Sequence, residues 1–159
     1  MNRLYTIMPI GTVIETRDGF EIRLDQGFAT GLDGLGDFSH ALVFWWAHHF
    51  DNESDRKTLS AHSPYKGSPG QLGIFATRSP IRPNPVAVTA VQILSIDKEK
   101  GIIYIPYIDA ENGTPVIDIK PYHPSADRIR EAGIPSWCSH WPEWYEDSAG
   151  FNWEAEFNF

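Results

Sequence analysis

Hydrophobic positions come in short bursts along this chain. Residues 9–17 (PIGTVIETR) and 20–25 (FEIRLD) are rich in apolar and β-branched residues and flank Asp18-Gly19. Asp-Gly between such runs predicts a β-hairpin. Residues 28–39 (FATGLDGLGDFS) form a glycine-rich loop or short helical turn. Residues 40–50 (HALVFWWAHHF) read as a strand buried on both faces, and 51–70 as a long polar loop, often a functional feature. A short strand at 72–76 precedes a long strand at 86–97, apolar on both faces like a barrel wall or a dimer interface. The turn DKEKG leads to an antiparallel return at 102–108, where Pro106 predicts an edge or a bulge. Residues 115–119 make a last short strand. SADRIREAG, 125–133, reads as the best helix, with Ser125 as N-cap and Gly133 as C-cap.

Many short strands with little helix indicate a mostly β protein, a barrel or sandwich. The expectation is one β domain over residues 1–135, then an aromatic tail, 136–159, packed on that domain or on a dimer partner. The last 19 residues hold three of the six tryptophans, with five acidic residues and no lysine or arginine. So many aromatics are expected to be buried, or to cover a cleft.

The net charge of −8 argues against a broad nucleic-acid footprint and leaves room for a local basic patch, since the cations at 78, 82, 120, 128 and 130 fall in two short segments. No apolar run reaches the roughly 18 residues of a membrane span, and the start has no signal-like apolar core. With a single cysteine, Cys138, no internal disulfide can form. The expected compartment is the cytoplasm.

Familiar chemistries are weak. Gly34-x-Gly36 lacks the third glycine of a dinucleotide loop, since Ser39 stands there. No histidine pair has helical ligand spacing, and His48 and His49, as strand neighbours, are expected to face opposite ways, so no metal is expected. Two proline-braced segments stand out instead. In FATRSPIRPNP (75–85), Pro80, Pro83 and Pro85 fix φ and push Ser79, Arg82 and Asn84 out of the α region, so the segment is rigid: either a structural connector or a preorganised polar clamp for a ligand. In DAENGTPVIDIKPYHPSAD (109–127), Asp118, Lys120 and Tyr122 share one face of a strand at period two. That row is either a solvated edge or a ligand site shared with the clamp.

The pair of segments, with the lead GLDGLGDFSHALVFWW ending in Phe38-Ser39-His40, resembles the TrmO (TsaA-like, YaeB-like) family in its short form, over roughly residues 8–127. The resemblance implies a compact β-barrel, usually dimeric, that binds S-adenosylmethionine outside the Rossmann-type fold. It implies methylation of N6 of threonylcarbamoyl-adenosine at position 37 of threonine tRNA. The alternatives are another methyl acceptor, small molecule or RNA, and a non-catalytic S-adenosylmethionine-binding module. The implied cofactor-binding residues are Phe75, Arg78, Ser79, Arg82, Asn84, Thr114, Asp118, Lys120 and Tyr122. Arg82, Lys120 and Asp127 are the implied substrate contacts. tRNA and a second copy of the chain are the implied partners; DNA and membrane are not.

Methyl transfer from a sulfonium needs alignment in a desolvated pocket more than a covalent intermediate. Arginine and lysine can hold a carboxylate, and a carboxylate can hold a ribose diol or an amino group. A carbamoyl-substituted N6 is a poor nucleophile that a base or a polarising contact would help; His40, Asp118 and Tyr122 are the candidates.

Overall fold

A computed structural model describes residues 4–158. Nine strands appear in chain order: β1 (Gly11–Thr16), β2 (Gly19–Leu24), β3 (His40–Trp46), β4 (Ser60–His62), β5 (Gln71–Gly73), β6 (Val86–Gln92), β7 (Ser95–Asp97), β8 (Ile102–Ile105) and β9 (Pro115–Pro121). Seven of them form one antiparallel sheet in the order β6-β3-β9-β1-β2-β8-β7, and β4 pairs with β5 as a separate ribbon.

The hairpin forms as expected, with Thr16 opposite Gly19 and Arg17-Asp18 as its two-residue loop. Gly19 takes a φ of 133°, which a side chain would resist, and so follows the turn rather than sitting inside it. The glycine-rich segment makes two 3-10 turns, Ala29–Leu32 and Leu35–Asp37, that drop Leu32 and Leu35 into the core.

The core lies on one face of the sheet. Val13, Ile22, Val43, Val91, Ile103, Ile105 and Val116 are fully buried there, one or two from each long strand. Each such side chain contributes about 1.5–3 kcal/mol. β3 is central, between β6 and β9, and alternates: Ala41 and Val43 are buried while Leu42 and Phe44 are half-exposed on the other face. It is therefore not buried on both faces. It also stops at Trp46, because Ala47 turns into the 3-10 turn His48–Phe50.

The long strand expected at 86–97 is split at Ile93-Leu94. Its halves, β6 and β7, are opposite edges of the sheet, though at most about 11 Å of chain joins them. Ile93 N–H donates to Ser39 O beside β3, and Leu94 N–H donates to Tyr104 O on β8. The sheet is therefore strongly curled. No β6–β7 ladder is described, so the architecture shown is a curled antiparallel sheet rather than a closed barrel. β8 is interior, between β2 and β7, and simply ends before Pro106; the proline marks neither an edge nor a bulge. The bulge lies elsewhere, where β3 and β9 shift register between Phe44 and Trp45.

The helix expected at 125–133 is one turn, α1 (Pro124–Asp127). His123, not Ser125, is its N-cap; the Asp127 carboxylate reaches back to accept from His123 N–H at 2.7 Å. The helix stops far short of Gly133: Ile129, its one aliphatic residue larger than alanine, is exposed, and Glu131 has a φ of 58°. With no apolar stripe to bury, propensity alone does not sustain a helix. Among the described residues no helix is long and apolar enough to cross a membrane.

The tail folds as three 3-10 turns around an aromatic cluster. Tyr65, from the loop between β4 and β5, is its hub. It stacks on Trp137 at 5.5 Å and meets Trp141 at 5.3 Å and Phe157 at 5.8 Å. Trp141 continues edge-on to Trp153, and Trp153 to Phe151. Backbone bonds seal the joint: Lys66 N–H to Glu156 O and Asn158 N–H to Pro64 O. A further tie to the sheet runs from Tyr145 Oη to Ala90 O on β6, at 2.6 Å.

Candidate active site

A cleft of about 670 Å3 opens at the end of the sheet where β3 stops, β6 begins and β9 is about to start. Four chain segments build it. The clamp supplies Arg78, Pro80 and Arg82, and the end of β3 with its 3-10 turn supplies Trp45, His48, His49 and Phe50. The start of β6 supplies Val86–Val88. The loop from β8 to β9 supplies Tyr107, Asp109, Glu111 and Thr114.

Local bonds make the clamp rigid beyond its prolines. Thr77 Oγ1 donates to Ile74 O at 2.8 Å and accepts from Ser79 N–H; Ser79 Oγ accepts from Ile81 N–H at 3.2 Å. Ser79 is thus occupied in shaping the backbone. Arg56, from the 51–70 loop, ties the clamp to β3. It pairs with Asp51, lies 5.4 Å from the Trp46 ring, and points Nη1 at Pro83 O, while Trp46 Nε1 also donates to Asp51. Arg56 and the Trp46 N–H together hold the Asp51 carboxyl below its ordinary pKa, and Asp51 raises that of Arg56.

The two clamp arginines face the cleft without a carboxylate partner among the described residues; Arg82 makes only long contacts to Thr77 O and Ser79 O. The opposite wall is acidic and imidazole-rich. His49 Nε2 lies 3.0 Å from Glu111 Oε2, and the His48 and His49 ring centroids are 3.9 Å apart with the planes tilted by 40°. They do not face opposite ways as strand neighbours would, because the chain has already left the strand. His48 Nδ1 is buried with no hydrogen-bond partner. Asp109 keeps solvent-exposed area yet sits within the concave wall, and desolvation there raises its carboxyl above the ordinary aspartate value. Burial, with the nearby Asp109 charge, likewise raises Tyr107. Among the described residues, no three His, Cys, Asp or Glu are grouped to hold a metal ion.

Of the residues singled out from sequence, the cleft brings together Arg78, Arg82 and Thr114, the last only 2% exposed. The others lie outside its lining. Phe75 is 79% exposed on a 3-10 turn, and Asn84, near the end of the clamp, is exposed. Asp118, Lys120, Tyr122 and His40 form a different group. Asp118 pairs with Phe44 and Lys120 with Leu42 across β9 and β3, while Ile119 on the opposite face packs against the core. The row therefore lies on the outer face. Lys120 Nζ is 2.5 Å from Asp118 Oδ2, and the His40 ring meets Tyr122 at 6.5 Å. Asp127 is engaged with the backbone of His123. Sequence reading missed Trp45, His48, His49, Tyr107, Asp109 and Glu111. Their signals were present: a His-His directly after an apolar strand, and two acids just before Gly-Thr-Pro.

The family model of the tRNA-methyltransferase O N-terminal domain matches residues 5–128. The chain belongs to this family. The match contains every segment that lines the cleft and stops before the aromatic tail. A probable S-adenosyl-L-methionine-binding protein of Methanocaldococcus jannaschii is 39% identical over 124 residues, 78% of this chain and 97% of that one. The tRNA (adenine(37)-N6)-methyltransferase of Escherichia coli is 35% identical over 106 residues, 65% of this chain and 44% of that protein. A crystal structure of TrmO from P. aeruginosa superposes with a TM-score of 0.65 at 25% identity, covering 86% of this chain and 62% of that one. The chain thus spans nearly all of the archaeal relative and about half to two thirds of the two bacterial proteins.

Proposed function

We propose that the protein is an S-adenosylmethionine-dependent methyltransferase that methylates N6 of threonylcarbamoyl-adenosine at position 37 of threonine tRNA. Family membership carries the coarser part, a TrmO-type methyltransferase using S-adenosylmethionine. The observation that carries the site is the meeting of Arg78 and Arg82 from one proline-braced segment with Thr114 from the other, in one cleft. The E. coli relative, named for adenine 37 of tRNA, supports the acceptor.

The cleft fits the cofactor chemically. Its volume lies within the roughly 300–1,000 Å3 of small-molecule sites. Two guanidiniums without acidic partners suit the methionine carboxylate. Asp109 suits its ammonium or the ribose hydroxyls, and Trp45 and Tyr107 offer aromatic faces to a cation. S-adenosylmethionine supplies an electrophilic methyl group. The chain's own part is to hold it, exclude water and aim the acceptor; the clamp does so from a backbone already braced, which lowers the entropic cost of binding.

The curled sheet with its nearly joined edges supports a barrel of the family type as the working form. The half-exposed Leu42 and Phe44, set among Asp118, Lys120 and Tyr122 on the outer face, support a homodimer through that face. A second reading, S-adenosylmethionine binding with another acceptor or none, is favoured by the −8 charge and by archaeal relatives named for binding alone.

Calorimetric titration with S-adenosylmethionine, on wild type and Arg78→Ala, tests the site. Loss of one charge-assisted contact should weaken binding about tenfold or more. Equal affinity in the two proteins would remove the clamp from the cofactor site. Methyl transfer to threonine tRNA with and without its threonylcarbamoyl group then separates the two readings.

A further inference from the structure

The three candidate bases read from sequence, His40, Asp118 and Tyr122, lie outside the cleft that holds the clamp arginines. The cleft has its own imidazoles. We infer that His49, held through Nε2 by Glu111, takes the proton from the nitrogen that is methylated, with His48 beside it as a neutral hydrogen-bond donor. The inference rests on the proposed acceptor and deepens it.

The geometry assigns the ring nitrogens. A carboxylate only accepts, so the 3.0 Å contact to Glu111 puts the His49 proton on Nε2 and leaves the Nδ1 lone pair for a ligand. His48 Nδ1 is buried without a partner, and a proton there would be an orphaned donor. Its proton therefore stays on Nε2, which can donate to a carbonyl or ring nitrogen of the acceptor. The ring centroids lie 3.9 Å apart with the planes tilted by 40°, and two like charges that close repel, so the abstracted proton goes to a single ring. The Glu111 carboxylate makes that ring His49. The other charged or titratable groups on the cleft walls are Arg78, Arg82, Asp109 and Tyr107.

The step balances without another reactant. The nitrogen lone pair forms the N–CH3 bond as the S–CH3 pair returns to sulfur, giving a neutral thioether. The N6 proton passes to His49 Nδ1, and the imidazolium is stabilised by Glu111 until the proton leaves to solvent. A carbamoyl-substituted nitrogen needs this help because its lone pair is delocalised, and a positioned base is worth about 10²–10⁴-fold.

The test uses His49→Gln and Glu111→Gln. Both side chains are more than half exposed, 56% and 73%, so both variants should fold. His49→Gln should bind S-adenosylmethionine within about twofold of wild type and lose roughly 10²–10⁴-fold in turnover on threonylcarbamoylated tRNA. Glu111→Gln keeps the side chain's size and removes its charge; it should lower turnover about tenfold and leave S-adenosylmethionine affinity within about twofold of wild type. Turnover by His49→Gln within fivefold of wild type would overturn the assignment, as would unchanged turnover in Glu111→Gln. Wild type that binds no S-adenosylmethionine would instead sink the proposed function. Binding without tRNA methylation would sink the acceptor, and this role with it.

Discussion

Replacing Tyr65 by alanine should release the aromatic tail and leave the sheet intact. Tyr65, which precedes the tail, makes ring contacts with three of the tail's aromatics. Such pairs are worth about 0.5–1.5 kcal/mol each beyond the area they bury, so the variant loses about 1.5–4.5 kcal/mol of attachment. What then holds the tail is chiefly the bonds at Lys66 and Asn158 and the Tyr145 contact to Ala90. These contribute about 0.5–1.5 kcal/mol apiece, with the exposed ones at the low end. The open fraction of the tail should rise roughly ten- to a thousandfold. Hydrogen exchange reads this directly: the Lys66 and Asn158 amides, which cross the joint, should lose protection by that factor. Amides of β3 should keep theirs, and S-adenosylmethionine affinity should stay within about twofold, because no described residue of the tail lines the cleft. A change under threefold at the joint would refute the hub. Parallel loss of protection in β3 would show that tail and sheet are one cooperative unit and that the boundary near residue 135 has no energetic meaning.

Two further tests address the scaffold. In Gly11→Ala, the new Cβ would lie 2.3 Å from Arg23 O and 2.9 Å from Leu24 Cα, both backbone atoms of the paired strand. The β1–β2 ladder must open, at about 3 kcal/mol, and Tm should drop by about 6–12 °C; an unchanged Tm would mean that the hairpin yields easily. Asp51 has its folded pKa lowered, chiefly by the Arg56 hydrogen bond, so its contribution is present above the unfolded pKa and lost as pH falls through the folded one. The Tm difference between wild type and Asp51→Asn should therefore be flat from about pH 7 to 5 and shrink below about pH 4, the ordinary aspartate range. A difference that shrinks already near pH 6 would implicate another group.

Sequence alone determined what is local to this protein. The hairpin follows from turn chemistry, with its loop at Arg17-Asp18, one residue before the expected Asp18-Gly19, and the stiffness of residues 75–85 from three prolines that restrict their neighbours in any context. The double motif was enough to indicate the family. The aromatic crowding of the tail pointed to packing, and Trp137, Trp141, Phe151, Trp153 and Phe157 do pack together, while Trp144 and Tyr145 stay about half exposed, each 52%. Tertiary structure decided everything that depends on where segments meet. It split 86–97 between the two edges of one curled sheet, because pairing with β3 on one side and β8 on the other outweighs the continuity of an apolar run. It ended the helix after one turn, because Ile129 has no surface to cover. It set Asp118, Lys120 and Tyr122 on the outer face, since strand parity sends neighbours to opposite sides and Ile119 takes the core. It also turned His48 and His49 together into the cleft beside Glu111, 62 residues further along from His49. No spacing rule encodes that meeting. It arises only when β3 stops at Trp46 and the loop before β9 closes over its end.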